Sequence, residues 1–220
     1  MTLWRWAALL SLPFLLIALS FGRIDGIKAC PGEGEPILNF ELVASPADVA
    51  AQFPPDCAQA AIAAQGKALR LDNLGFIPVY SALFIVVLMA LGGENPGARR
   101  LVQLGVAMVV VAAAADYWEN NRLAAIAAAL PGDQATIDQL YPAPRIKFGL
   151  LALVEILIGL LHWQAGGWRR LAGGAMALGG ALTLAGFAAN REWILLGGMI
   201  AFLATLIANF ALAARKRVVG

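Results

Sequence analysis

Three side chains with oxygen ligands, Asp116, Glu119 and Asn120, follow one another at intervals that a helix would place on a single face. Two carboxylates and an amide are ligands that a hard divalent cation accepts. The same carboxylates could equally pair with arginines and cap helix ends, and the arginines within reach are Arg122, Arg145 and Arg191. Catalytic carboxylates are a third interpretation. We favour ion pairing, and we therefore predict neither a bound metal nor a cofactor.

Glu155 is a candidate for a different reason, which is its depth. It lies nine residues into the apolar run 146–163, or roughly 13 Å along a helix. A carboxyl group in hydrocarbon is costly, and it is usually paired or functional. We predict that Glu155 hydrogen-bonds a hydroxyl group of a neighbouring helix, with a proton-relay or ligand role as the alternative. The hydroxyls expected at a similar depth are those of Tyr80, Ser81 and Thr205.

Familiar catalytic signatures are missing from the chain. His162 is the only histidine, and the sequence contains no G-x-S-x-G, H-E-x-x-H or phosphate-loop motif. These absences favour a non-catalytic protein, although they leave an enzyme that uses carboxylates open. The net charge of +2 is too small to indicate a nucleic-acid partner.

The elements that would position these residues are long apolar helices. The chain is 60% hydrophobic and 14% charged, with a mean hydropathy of +0.74. The apolar residues fall in blocks long enough to cross about 30 Å of hydrocarbon. We predict an all-α, polytopic membrane helical bundle, a single membrane domain over residues 1–220. Its six predicted transmembrane helices cover residues 3–21, 74–92, 100–118, 146–163, 171–188 and 193–214.

Cationic residues indicate which way these helices run. They cluster at every second connection, as Arg99-Arg100, Arg169-Arg170 and Arg215-Lys216-Arg217. Because lysine and arginine are retained on the cytoplasmic side, both termini are predicted to be cytoplasmic in a bacterial inner membrane. The remaining connections, 22–73, 119–145 and 189–192, are then extracytoplasmic. Residues 3–21 could alternatively be a signal peptide cleaved near Ala18 and Ser20, but an uncleaved span fits the even number of helices.

Residues 22–73 form an extracytoplasmic elaboration that holds both cysteines, Cys30 and Cys57. Outside the cell a disulfide would persist, and closing about 28 residues would stabilise the fold by roughly 3.5 kcal/mol. Two unpaired thiols are the alternative. No C-x-x-C motif indicates thiol exchange.

Local signals predict the structure of the connections. Residues 37–43 suggest an extended piece. Ser45 and Pro46 predict a helix start with an end before Pro54-Pro55, and Asp56 is the predicted cap of the next helix. Residues 121–130 suggest a short helix on the membrane surface. Pro78 predicts a kink in the second span.

Several short motifs resemble a pattern of uncharacterised bacterial multi-pass membrane proteins over residues 38–122. They are Phe40-Glu41-Leu42, then Asp72 with Phe76-Ile77-Pro78 and Tyr80, then Asp116, Glu119 and Asn120. The resemblance implies no established activity. It implies that Asp72, Tyr80, Asp116, Glu119 and Asn120 act as one cluster, and together with Glu155 these are the predicted ligand-binding candidates.

Three functions follow from these features, in order of preference. The first is a non-catalytic accessory or assembly subunit of a larger membrane complex, with the lipid bilayer and a membrane protein as partners. The second is a binder or carrier of a lipid or small apolar ligand at the outer leaflet, with a cavity lined by Tyr80 and Glu155. The third is a membrane-embedded enzyme that uses the outer carboxylates.

Overall fold

The structure is a computed structural model, and it describes residues 1–30 and 34–215. Over these residues the fold is all-helical, without a strand. Its ten α-helices are α1 (Leu3–Phe21), α2 (Pro36–Glu41), α3 (Pro46–Gln52), α4 (Ala58–Leu71), α5 (Ile77–Glu94), α6 (Arg99–Ala128), α7 (Gln134–Leu140), α8 (Pro142–Gln164), α9 (Arg169–Gly186) and α10 (Glu192–Arg215). Lys216 and Arg217 of the third cationic cluster lie outside the described residues.

Five helical segments of the described chain are long and apolar enough to cross a membrane, which confirms a multi-pass helical protein in its coarse form. They are Leu3–Phe21, Ala58–Glu94, Pro96–Ala128, Gln134–Gln164 and Glu192–Arg215. The predicted fifth span coincides with α9, which is not among the five. Its 18 residues include Arg169 and Arg170 and several glycines, and these residues lower its hydropathy. Six spans are therefore not confirmed.

The chain divides into two compact units. The first unit comprises residues 1–14, 79–112 and the described residues from 148 onward, and the second comprises residues 15–78 and 113–147. Each is described separately below.

In the first unit, glycines let α9 approach both of its neighbours in sequence. A Cβ placed on Gly159 of α8 would lie 2.5 Å from the carbonyl oxygen of Gly173 in α9, and one on Gly179 of α9 would lie 2.5 Å from that of Gly197 in α10. Small residues permit such close packing of membrane helices. Small residues recur at every fourth position of α10, and all of them are buried: Gly197, Ala201, Thr205 and Asn209. By contrast, Ala181 of α9 is exposed.

A polar network in the first unit connects Trp4, Glu94, His162 and Arg169. Glu94 accepts hydrogen bonds from Trp4 Nε1 at 2.7 Å and from the Arg169 guanidinium at 2.7 Å. Arg169 Nε donates to His162 Nδ1 at 3.0 Å. His162 is fully buried, so this network gives it a structural partner and ties α1, α5, α8 and α9 together.

Glu94 is the member of this network that a substitution tests most cleanly. Glu94→Gln keeps the shape of the side chain but removes its charge opposite Arg169, whose side chain is 12% exposed. Because the pair is partly solvated, we expect a loss of about 1 kcal/mol in the free energy of unfolding. Equilibrium unfolding in mild detergent measures this, with Glu192→Gln as the control. Equal losses for both variants would contradict the assigned contact.

The second unit has an apolar core of its own. Phe40, Val49, Leu123, Ile126 and Ile137 are among its buried members, and they come from α2, α3, α6 and α7. A disulfide joins Cys30 to Cys57, with the two Cα atoms 5.2 Å apart, as predicted. The core explains how short helices remain ordered, because each buries an apolar face against the others.

Several local predictions are confirmed in this unit and others are wrong. Ser45 caps α3 by accepting a hydrogen bond from the amide of Asp48, and α3 ends before the two prolines. Residues 36–41 form helix α2 rather than an extended piece, because Pro36 occupies the first turn and apolar side chains pack into the core. Cys57, not Asp56, precedes α4. Residues 121–128 continue α6 without a break, because Leu123 and Ile126 are core residues.

The predicted irregularity near Pro78 takes a specific form, a π-helical turn at Asp72–Phe76 between α4 and α5. A proline within a helix lacks the amide hydrogen and clashes with the carbonyl group four residues earlier, which here belongs to Leu74. The wider turn contains this carbonyl, and Ile77 N donates to Asp72 O across it. Pi turns often occur at functional sites, and this one carries Asp72 and Asn73.

Candidate functional site

The spacing of Asp116, Glu119 and Asn120 predicts a single helix face, and α6 has this face. Asp116, Glu119 and Asn120 are buried together, while Tyr117 and Trp118 between them are exposed. Helical periodicity turns the first three toward the interior of the second unit and the two aromatics away from it. The face is therefore a property of the sequence, whereas its partners depend on the fold.

Lys147 of α8 supplies the positive charge at the centre of the cluster. Its Nζ lies 2.7 Å from Glu119 Oε1, 3.4 Å from Asp116 Oδ1 and 3.2 Å from Glu41 Oε1. The lysine side chain is 6% exposed and that of Glu119 is fully buried. An ammonium group has three donors, and three carboxyl groups from α2 and α6 surround this one. We call Glu41, Asp116, Glu119 and Lys147 the lysine cluster.

Glu41 brings the short helix α2 to the lysine cluster, and its last residue is Glu41 itself. Burial raises the pKa of the Glu41 carboxyl, and the positive charge of Lys147 only partly offsets this effect. Glu41 therefore holds a proton at pH values at which an exposed glutamate would be ionised.

A second set of contacts joins α6 to the π turn. Asn120 Nδ2 donates to Asp72 Oδ2 at 2.6 Å and to Asn73 Oδ1 at 2.9 Å. The π turn thus presents two side-chain oxygens to one amide, next to the lysine cluster on the same face of α6. Asp72 thus contacts Asn120, one of the residues that the resemblance groups with it.

The ion-pair partners predicted for the carboxylates of α6 are wrong. We expected Arg122, Arg145 or Arg191, but the ion pairs are with Lys147. Arg122 instead donates to Gln139 Oε1 at 2.8 Å, and Arg145 donates to the carbonyl of Tyr141 at 2.6 Å. The lysine ammonium lies where a cation held by these carboxylates would be, and the described residues contain no group of three metal-ligating side chains in a suitable arrangement.

Tyr80 and Glu155 belong to the first unit, and both are buried there. Glu155 makes no hydrogen bond with any described residue, so the predicted contact with Tyr80, Ser81 or Thr205 is absent. The reason is that similar depth does not ensure that side chains on different helices face each other. Ser81 Oγ is buried and has no hydrogen-bond partner in the described part of the chain either.

Two cluster members, Lys147 and Glu41, were not among the predicted site residues. Lys147 lies near the start of an apolar run and Glu41 lies 106 residues earlier, so no local spacing connects them. The signal that could have found them is the cost of burying a charge, because a lysine inside an apolar helix needs carboxylate partners. Glu41 is also part of a motif in the resemblance.

Comparisons with known proteins add no relative: no family model, no curated protein and no solved structure matches the chain. The assignment of a function therefore rests on the geometry of this chain alone.

The second unit also has two cation–π pairs whose aromatic rings are exposed. The Arg122 guanidinium lies 5.5 Å from the ring centre of Trp118, and that of Arg145 lies 3.4 Å from the ring of Tyr141. Trp118 Nε1 and Arg122 both bind Gln139, two residues before Tyr141. Trp118 is 54% exposed and Tyr141 48%. We call these four residues, Trp118, Arg122, Tyr141 and Arg145, the aromatic–arginine surface.

The raised pKa of Glu41 gives a pH-dependent prediction for Glu41→Gln. The folded-state pKa of Glu41 lies above its unfolded value, which is near 4.5. The stabilisation that protonated Glu41 gives the wild type is therefore fully present below the unfolded pKa and is lost as the pH rises through the raised pKa. Glutamine matches the protonated glutamate in shape and in its lack of charge, and it does not titrate. We therefore expect the stability of Glu41→Gln relative to wild type to increase with pH above about 4.5.

Thermal unfolding in detergent between acidic and alkaline pH tests this expectation. Glu35→Gln is the matched control, since Glu35 is in the same segment and pairs with Lys28 at 3.9 Å, with both side chains exposed. A stability difference for Glu41→Gln that stays constant with pH would show that Glu41 does not hold the proton.

Proposed function

We propose that this protein is a non-catalytic, multi-pass protein of a bacterial inner membrane that serves as an accessory or assembly subunit of a larger membrane complex. The observation that carries the proposal is that Lys147 engages the carboxylates on which a catalytic or cation-binding role would depend. A cluster whose charges are directed at one another stabilises a structure, and it offers few free ligands to a substrate.

The aromatic–arginine surface is the part of the second unit best suited to a protein partner. Tryptophan, tyrosine and arginine are enriched among residues that dominate binding energy at protein interfaces. Here the arginines are stacked on the rings, so their side chains are ordered before binding and lose less entropy when a partner docks. The partner we propose is a membrane protein that presents carboxylates or carbonyl groups to Arg122 and Arg145.

We further propose that α9 is a sixth span, with both termini cytoplasmic and residues 22–73 outside. Its 18 residues extend about 27 Å, close to the hydrocarbon thickness. It is joined by short connections to α8 and α10, both long enough to cross, and it packs closely on each through glycines. The arginine pairs at 99–100 and 169–170, together with Arg215, then lie on one side.

Purification from native membranes in a gentle detergent tests the subunit proposal. A tagged full-length chain should co-purify with one membrane protein in fixed stoichiometry. The double variant Trp118→Ala/Tyr141→Ala should lose most of this partner, because both rings that order the arginines are removed. Trp163→Ala, an equally exposed tryptophan of the first unit, is the control and should keep it.

Two outcomes would contradict the proposal. One is a chain that purifies alone, with no stoichiometric protein, under conditions in which established membrane complexes survive. The other is a partner that is retained equally by the double variant and by Trp163→Ala, which would remove the role of the aromatic–arginine surface.

A further inference from the structure

A groove of about 350 Å³ lies in the first unit between the start of α1 and the end of α10. Most of its lining is apolar, with Leu9, Leu12 and Phe210 each at least 39% exposed. The helices that form it are held together below the groove by Asn209, which donates to Ser11 Oγ at 3.1 Å, and by the stacked rings of Phe14 and Phe202. The groove is therefore a fixed feature of the α1–α10 contact.

Among the described residues, Arg5 is the only charged side chain that lines this groove. Its Nε is buried and has no hydrogen-bond partner among the described residues, and its guanidinium forms no ion pair with them. Neither α1 nor the half of α10 that faces it contains an acidic residue. A guanidinium group in a partly apolar site strongly favours an anion with oxygen acceptors, and phosphate oxygens suit its planar donors.

The length of the groove suits the headgroup and the upper part of an acyl chain of a phospholipid. Arg5 and Leu12 are seven residues apart on α1, or roughly 10 Å along the helix, which covers the upper part of an acyl chain. Arg5 is in the first turn of α1, and Arg215 is the last residue of α10. Cationic residues at that level attract anionic headgroups.

We propose that the α1–α10 groove binds one anionic glycerophospholipid, with an acyl chain along Leu9, Leu12 and Phe210 and the phosphate on Arg5. The site is independent of the proposed subunit role. A zwitterionic phospholipid fills the same apolar lining but adds an ammonium group close to the cationic end of α10. The groove therefore discriminates by headgroup charge and holds the chain by apolar contact.

Native mass spectrometry of the full-length chain in mild detergent tests the proposal, with phosphatidylglycerol and phosphatidylcholine of identical acyl chains as probes. We expect a single phosphatidylglycerol to be retained in preference to phosphatidylcholine. Arg5→Gln should weaken phosphatidylglycerol binding about fivefold, the effect of one cation near the headgroup layer. Arg23→Gln, at an exposed arginine of the second unit, should leave it unchanged.

A second variant addresses the apolar part and serves if Arg5→Gln does not fold. Ala213→Trp fills the groove and leaves residue Arg5 in place, and we expect it to lower the binding of both lipids. Equal retention of the two lipids by the wild type, or undiminished binding in Ala213→Trp, would overturn the proposal. So would complete displacement of phosphatidylglycerol by inorganic phosphate, which would show an anion site alone, or occupation of the groove by a second copy or another protein.

Discussion

Lys147→Met should destabilise this protein more than any other single substitution considered, by about 3–5 kcal/mol in the free energy of unfolding at neutral pH. Methionine keeps the length and apolar character of the lysine stem, so the change removes the ammonium group and little else. Glu119 is fully buried and Asp116 nearly so, and both would then lack their counter-ion. Removing one partner of a buried ion pair is costly because the other charge stays desolvated.

Two companions make this result specific to the lysine cluster. Lys67→Met is the same substitution at an exposed lysine of α4 in the same unit, and it should change stability by less than about 0.5 kcal/mol. Adding Glu119→Gln to Lys147→Met should recover part of the loss, since it removes one uncompensated charge. Unfolding in detergent, followed by tryptophan fluorescence, measures all three. Equal stability of Lys147→Met and Lys67→Met would show that the cluster is not a structural tie.

Gly197→Ala is expected to lower stability by about 2–3 kcal/mol, because the added methyl group has no space. A Cβ at this position would lie 2.5 Å from the amide nitrogen of Thr183 and would also contact the carbonyl oxygen of Gly179. These are backbone atoms of α9, which cannot rotate aside as a side chain can. The two helices must separate, and the close contact along their shared face is lost.

The next residue provides the control for this prediction. A Cβ on Gly198 would have no atom of another helix within 4 Å. Gly197 and Gly198 are adjacent in α10, so the same substitution is compared in one helix at one depth. Alanine has the higher helix propensity by up to about 1 kcal/mol, so Gly198→Ala should be neutral or slightly stabilising. Thermal unfolding of the two variants side by side measures the difference. A similar shift for both would mean that α9 and α10 do not pack as closely as the structure has them.

The features that the sequence predicts well are those determined by local periodicity and composition. The apolar blocks give the long helices, the spacing of Asp116, Glu119 and Asn120 gives a single buried face, and Ser45 gives the start of α3. The two cysteines pair because no other cysteine competes for either. Each of these features depends on residues within a few helical turns of one another or, for the disulfide, on the presence of only two cysteines in the sequence.

The features that the sequence does not predict depend on which helix faces pack against each other in three dimensions. Lys147 and Glu41 lie far apart along the chain, and only the packing of α2 against α6 and α8 brings both to Glu119. The α9 residues that meet α10 include Gly179, Thr183 and Gly186, whereas Ala181, in the row of small residues at every fourth position from Gly173 to Ala185, is exposed. A regular interval of small residues predicts close packing, but it does not say which neighbour the row faces.

We propose that both termini and the cationic helix ends face the cytoplasm and that residues 22–73 lie outside it, in a protein whose helices cross a membrane. Fusions of alkaline phosphatase, which is active only outside the cytoplasm, at five positions test it most directly. We predict activity at Asp56, Gly132 and Ala189 and none at Gly97 and Gly166, with a fluorescent protein folding at the C-terminus. Phosphatase activity at Gly97 or its absence at Asp56 would contradict this orientation, and an inactive fusion at Ala189 would contradict a sixth span.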